Sequence, residues 1–306
     1  MHKSVLLEET INNLNLKEDS VVVDATLGYA GHSSEILKKI PKGFLYAFDQ
    51  DEEAIKVAQD KLNKISSNYE IIKSNFKNLK AELKKRNVIK VDAILFDLGV
   101  SSPQLDNDYR GFSFHKDATL DMRMDRNNKL DAKQVVNEYE YEDLVKIFRD
   151  YGEEKYASSV AKQIIQYRQN KEINSTLELV EIIKLGVPEK YKREHHPARK
   201  IFQAIRIEVN DELNVFKKAL NDALDIIDIN GRIGVITFHS LEDKICKQKF
   251  KESTEINNEL KKLPIIPDEY IPKFKNIGVF EPSKKELENN NRSRSAKLRI
   301  VEKVRR

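Results

Sequence analysis

Short apolar runs alternate with segments of helical spacing along the first hundred residues. Val21-Val22-Val23, Phe44-Leu45-Tyr46-Ala47-Phe48, Tyr69 to Ile72 and Ala93-Ile94-Leu95-Phe96 read as buried strands. Gly31 to Lys39, stopped before Pro41, reads as a helix. So does Glu52 to Lys64, whose apolar positions Ala54, Val57, Ala58, Leu62 and Ile65 share one face, and so does Leu79 to Lys85. Regular alternation of strand and helix predicts an α/β fold with a parallel sheet covered by helices.

The pattern breaks after Asp97. Leu98 to Lys129 follows neither period, and so long an irregular stretch inside a compact domain is often functional. Helices are then predicted for Tyr141 to Asp150, for Glu153 to Gln169, and from a Ser175/Glu178 capping box to Gly186. Four tyrosines, Tyr139, Tyr141, Tyr151 and Tyr156, cluster among them. The spacing describes an inserted helical domain over 107–195, splitting an α/β domain into 1–106 and 196–306. Beyond Pro197, Ile201 to Ile227 reads as one long helix. Ile233 to Phe238 reads as a fifth buried strand, and Leu298 to Val304 as a last, alternating strand with basic residues on its polar side.

Composition narrows the class. A chain of 306 residues suggests about two domains. With 40% apolar and 34% charged residues it reads as a soluble globular protein, and one cysteine, Cys246, gives no disulfide framework and points to a reducing compartment. Glu8 and Glu9 argue against a signal peptide, and no apolar run approaches the roughly 20 residues of a membrane span. The formal charge of +4 is uneven, because Arg292 to Arg306 holds seven Lys/Arg against one acid. A basic C-terminal tail on a nearly neutral body suits contact with phosphates.

Three features meet beyond the carboxyl ends of the predicted strands, where parallel α/β sheets bind ligands. The first is the loop Thr26-Leu27-Gly28-Tyr29-Ala30-Gly31-His32, whose small residues allow close approach at a helix N-terminus. The second is Asp49, about 20 residues past the first loop glycine, the spacing of a ribose-binding acid. The third is Asp97, at the end of strand four. The loop lacks the full glycine pattern that a pyrophosphate favours. That tilts the reading from an NAD-dependent oxidoreductase toward S-adenosylmethionine, which has a ribose and a sulfonium but no phosphate.

Longer strings carry a more specific signal. They include His2 to Glu9, Asp24-Ala25-Thr26-Leu27-Gly28, Asp97-Leu98-Gly99-Val100-Ser101-Ser102-Pro103-Gln104-Leu105-Asp106 and Arg110-Gly111-Phe112-Ser113-Phe114. Further along come Leu120 to Asp125, Tyr151 to Glu154, His196-Pro197-Ala198-Arg199, Phe202 to Ile207 and Phe238-His239-Ser240-Leu241-Glu242-Asp243. In this order the chain resembles the bacterial 16S ribosomal RNA (cytosine-N4)-methyltransferases of the MraW (RsmH) type. The resemblance implies a class I, Rossmann-like fold and S-adenosylmethionine held by Ala30, Gly31, His32, Asp49, Phe76, Asp97 and Gln104. It also implies a cytoplasmic enzyme acting on a decoding-centre cytidine of the small ribosomal subunit. Family members usually carry glycine at Ala30, and alanine is expected to resist a positive φ there.

The chemistry is consistent with that resemblance. Carbon methylation of a pyrimidine needs a cysteine nucleophile, and Cys246 lies in a helical stretch after strand five. An exocyclic amine needs no covalent step, only a held nitrogen and an acceptor for its N–H. Asp97, Ser101 and Ser102 are the catalytic candidates. Phe112 or Phe114 can stack on a base. Arg110 and Arg123 meet phosphates, or else pair with Asp106 and Asp121. Ser240 with Asp243 reads as a helix cap, and His195-His196 lacks the further ligands of a metal site. With the basic tail, loop 98–129 is expected to face RNA. A non-catalytic RNA-binding assembly factor on the same fold is the rival reading.

Overall fold

The computed structural model describes residues 4–100, 108–257, 259–262 and 264–305. Ser101, Ser102 and Gln104 lie outside the described residues. The chain divides into two compact units, Met1–Gly99 with Leu213–Arg306, and Val100–Glu212.

The first unit is built on seven strands: β1 (Val21–Asp24), β2 (Phe44–Asp49), β3 (Tyr69–Lys73), β4 (Val91–Asp97), β5 (Ile227–Thr237), β6 (Phe274–Phe280) and β7 (Lys297–Lys303). Their order across the sheet is β3-β2-β1-β4-β5-β7-β6. The first five run parallel, and β7 lies antiparallel between β5 and β6. The order reverses between β1 and β4, so the crevice beyond those two strands is the expected ligand site of this Rossmann-like arrangement. Two apolar layers, one on each face, bury the sheet. Val23, Ile94, Phe96 and Val235 belong to one, and Val22, Leu45, Leu95 and Ile300 to the other. That two-sided burial is why the strands read as continuous apolar runs rather than alternating ones. Helices α1 (Leu7–Asn13), α2 (Gly31–Lys39), α3 (Glu52–Leu62) and α4 (Leu79–Lys85) occupy the N-terminal half.

The second unit is helical: α5 (Ala132–Glu138), α6 (Tyr141–Asp150), α7 (Ala157–Arg168), α8 (Thr176–Leu185), α9 (Glu189–Glu194) and α10 (Ala198–Asn210). They enclose a separate core that includes Phe148, Ile164, Ile183, Phe202 and Ile205. The unit is wider at both ends than 107–195, because α10 packs on α5, α6 and α8.

Three expectations are corrected. The single helix over Ile201 to Ile227 is two, α10 and α11 (Glu212–Ile226), separated by Asp211 in the left-handed region at φ 50°. The C-terminal basic stretch, expected both as a tail and, over Leu298 to Val304, as a last strand, is the strand and not a tail. From Lys297 onward it is an inner strand, with Leu298, Ile300 and Val301 fully buried. Arg299 forks onto Asp243 at 2.7 and 2.9 Å, and Lys303 Nζ donates to the Ile227 carbonyl at 2.9 Å. Finally, helix α12 (Ser240–Thr254) is capped by His239 rather than Ser240, and the Glu242 carboxylate accepts from the Phe238 and His239 N–H groups at 2.7 and 3.3 Å.

Cys246 is fully buried within α12, and burial pushes its thiol above the usual range. A thiolate forms only on unfolding, so iodoacetamide is expected to label the protein in denaturant and leave the native chain unmodified. Labelling of the native chain at mildly alkaline pH would contradict this burial.

Candidate active site

The loop after β1 is fixed from both sides. Ala25 N–H donates to the Leu95 carbonyl and Leu27 N–H to the Phe48 carbonyl, at 2.9 and 2.8 Å, tying the loop to β4 and β2. Asp24, buried at the end of β1, accepts from Thr26 N–H at 3.0 Å and from Ser33 Oγ at 2.6 Å. Thr26 Oγ1 in turn accepts from Asp97 N–H at 2.7 Å, joining the ends of β1 and β4. Asp24 is therefore a member of the site that pattern reasoning overlooked, and Thr26, already placed in the loop, gains a role as the link between the two strands.

Gly28 and Ala30 both have positive φ, 48° and 55°. Ala30 adopts the left-handed conformation that it was expected to resist. The strain is about 1 kcal/mol, and burial of its methyl group, fully enclosed in the apolar layer around Val5 and Leu27, offsets about 0.8 kcal/mol. Ala30→Gly relieves the strain but loses the methyl and loosens the unfolded chain. The melting temperature is expected to move by less than about 3 °C, with cofactor affinity unchanged. A larger drop would show that the methyl group holds the loop. Gly31 cannot be enlarged as easily: a Cβ there would fall 1.7 Å from Ser4 Oγ, so the N-terminal segment lies directly on the start of α2.

Asp49 ends β2 facing the loop. Its Oδ2 accepts from Gly28 N–H at 2.8 Å and its Oδ1 from Asp51 N–H at 2.9 Å. Burial outweighs these bonds and raises its pKa to about 6. Each oxygen keeps one lone pair for a ligand. Phe76, half-buried in the short helix Phe76–Asn78, packs edge-on against Phe96 with ring centroids 5.8 Å apart.

His32 is buried in the first turn of α2. Its Nε2 lies 3.1 Å from the Val5 carbonyl, which can only accept, so Nε2 carries the proton. Burial lowers its pKa to about 4, leaving a neutral ring whose Nδ1 bears a lone pair. That nitrogen lies 3.5 Å from Asp97 Oδ2. The other oxygen, Asp97 Oδ1, is buried and has no hydrogen-bond partner among the described residues. Burial, then the charges of Asp24 and Glu242, hold the Asp97 pKa well above the usual carboxylate range. The structure thus brings Ala30, Gly31, His32, Asp49, Phe76 and Asp97 into the α/β unit's own sheet-end crevice or its walls.

Of the two roles expected of the arginines, Arg123 takes the pairing with Asp121, while Asp106, the partner expected of Arg110, lies outside the described residues. Arg110 is buried in the helical unit and donates to the Arg123 carbonyl at 3.0 Å, so it braces a loop rather than meeting phosphate. Arg123 forks onto Asp121 at 2.8 and 3.0 Å. Phe112 is buried beneath Arg110 and cannot stack on a base, whereas Phe114 is half-buried.

The model of the MraW methylase family matches residues 1–304. The chain belongs to that family. It is an S-adenosylmethionine-dependent methyltransferase, as the resemblance implied. The "Ribosomal RNA small subunit methyltransferase H" of Exiguobacterium sibiricum is 52% identical over 306 residues, covering 99% of this chain and 98% of that protein. Among solved structures, an rRNA methylase from Streptococcus thermophilus matches at TM-score 0.45 and 13% identity, over 100% of this chain and 99% of that one. A putative rRNA-methylase from Clostridium thermocellum matches at TM-score 0.46 and 13% identity, over 99% and 100%. No described helix of this methyltransferase is long and apolar enough to cross a membrane.

The residues of the crevice fit the cofactor. Asp49 offers acceptors to a ribose diol, the backbone between Gly28 and His32 permits close approach, and the unpartnered Asp97 Oδ1 offers a buried acceptor to an amine.

Proposed function

We propose that this methyltransferase modifies the N4 amine of a decoding-centre cytidine in 16S rRNA of the small ribosomal subunit, in the cytoplasm. The observation that carries this reading is the 52% identity, nearly end to end, with a relative named as a small-subunit rRNA methyltransferase. The crevice supplies chemistry consistent with it.

In this reading Ala30, Gly31 and His32 line the cofactor through their backbone, Asp49 takes the ribose hydroxyls, and Phe76 borders the adenine. Gln104 completes the set from outside the described residues. Bound S-adenosylmethionine supplies an electrophilic methyl group on a sulfonium. The target nitrogen gains that methyl and must lose a proton. Asp97 orients the amine by accepting one N–H at Oδ1 and then takes the proton. A carboxyl held above its ordinary range is better matched to that task than an exposed one. Ser101 and Ser102, outside the described residues, are the further acceptors proposed for the amine. His32, fixed by the Val5 carbonyl, turns its Nδ1 lone pair toward Asp97 Oδ2, 3.5 Å away, so the ring offers the ionised carboxylate no hydrogen and can accept one from the protonated carboxyl.

RNA contact is assigned to loop 98–129, to the helical unit and to the basic stretch 292–306. Within that stretch Arg294 is exposed, while Arg299 and Lys303 are tied into the sheet. The deciding experiment is nucleoside mass spectrometry of small subunits that lack the modification, after incubation with enzyme and S-adenosylmethionine. N4-methylcytidine in 16S rRNA is expected. Methyl groups on another base atom would overturn the substrate assignment, and RNA binding without any methylation would favour an assembly factor.

A further inference from the structure

The helical unit carries an aromatic stack that runs from its core to its surface. Phe202 is buried in the core of this unit. Phe114 meets it edge-on, with ring centroids 5.7 Å apart and planes at 79°. On Phe114 lies His196, stacked at 4.4 Å with an interplanar angle of 28°. His115 closes the group, 4.4 Å from Phe114 and 5.2 Å from His196. Both imidazoles belong to exposed residues. A column of rings thus rises from a buried anchor and ends in two exposed, flat, polarisable faces.

Its surroundings are cationic rather than apolar. Partial burial, then His115 and Lys184, disfavour protonation of His196, and Lys184 itself pairs with Glu181 at 2.6 Å. Arg199 is exposed at the start of α10, its N–H bonded to the His196 carbonyl, and its guanidinium has no ion-pair partner among the described residues. Of the acids nearest the rings in sequence, Glu194 is exposed, and the Asp117 carboxylate accepts from Leu177 N–H at 3.3 Å, at the start of α8. Exposed rings beside the unpaired Arg199 guanidinium match a base with its phosphate, since base stacking on aromatics and phosphate contacts together bind single strands.

We infer that Phe114, His115 and His196 form a stacking platform for an unpaired base of single-stranded RNA, with Arg199 meeting its phosphate. The inference rests on the rRNA reading for its biological substrate. The platform is a site on the helical unit by itself, and no methyl-transfer role is assigned to it.

The test compares binding of a short labelled oligocytidylate with binding of an abasic ribose-phosphate strand of the same length, by fluorescence anisotropy. The pair H115A/H196A is expected to weaken oligocytidylate binding roughly five- to fiftyfold and to leave the abasic strand within about twofold. H196F, which keeps a flat ring, is expected to restore most of the loss. Should the double variant fail to fold, H115A alone, altered at an exposed ring, is expected to lose about threefold or more. Oligocytidylate binding unchanged in these variants, an equal loss for the abasic strand, or no RNA binding by the wild type would each overturn the platform. Failure of the substrate reading shows separately. Wild-type enzyme would then leave small-subunit rRNA unmethylated, while the stacking loss in H115A/H196A would persist.

Discussion

Asp97→Asn is expected to lower the rate of methyl transfer roughly 10²- to 10³-fold while leaving the enzyme folded and able to bind its cofactor. The asparagine amide can donate to the lone pair on His32 Nδ1, which the ionised carboxylate cannot. His32 Nε2 keeps its bond to the Val5 carbonyl, so the ring and the start of α2 stay in place. What disappears is the ability of Oδ1 to take a proton. The same change removes a buried acid that sits in the field of Asp24 and Glu242. Because the folded protein holds this carboxyl protonated to higher pH than the unfolded chain does, ionising it costs stability as pH rises through its folded pKa. The variant should therefore melt higher than wild type, by roughly 2 °C near neutral pH, with the gap closing in acid. Single-turnover rates and melting curves across pH read both effects. A variant that transfers methyl groups at the wild-type rate would remove Asp97 from the reaction.

Asp49→Ala should weaken cofactor binding by roughly 10- to 100-fold, the cost of losing hydrogen bonds to a charged acceptor. In the wild type each Asp49 oxygen already accepts one backbone N–H, from Gly28 and from Asp51. Alanine strands both donors and slackens the loop in addition to losing the ribose contact. Asparagine rescues only in part, because its amide nitrogen would face one of the two N–H groups. Wild-type affinity should also climb with pH. The free carboxyl titrates at about 6, and a diol that favours the ionised form binds better once the proton has left. Calorimetry between pH 5 and 7 should show this climb in wild type and its absence in Asp49→Ala. A variant binding within twofold of wild type would place the ribose elsewhere.

Much of the α/β unit could be read from residue pattern, because its central strands are buried on both faces and cannot be mistaken for polar segments. Asp49 was found by its distance from Gly28, a spacing set by one turn of chain through α2 and back along β2. What escaped notice was fixed by distant partners. Nothing near His32 in sequence announces that the Val5 carbonyl orients it. The helix break at Asp211 was hidden because apolar spacing continues from Val209 to Leu213 across a single left-handed residue, a conformation that aspartate tolerates better than most. β6 was missed because it is an edge strand with exposed Lys275, Asn276 and Val279, so its signal is diluted. Arg110 was misjudged for the opposite reason: arginine is almost never fully buried, and here loop carbonyls such as that of Arg123 help to make burial tolerable.

The position of β7 has a consequence for synthesis. A ribosome delivers β6 before the strand that attaches it, because β7 follows β6 in sequence yet lies between it and β5. Until Lys303 has emerged, β5 presents a bare edge and β6 has nothing to pair with. The nascent chain can assemble its five parallel strands early, but the sheet closes only in a late step that depends on long-range pairing, which is slow and exposes an adhesive edge meanwhile. Chains cut short by premature release would keep that edge, making them substrates for chaperones or proteases rather than partly active enzymes.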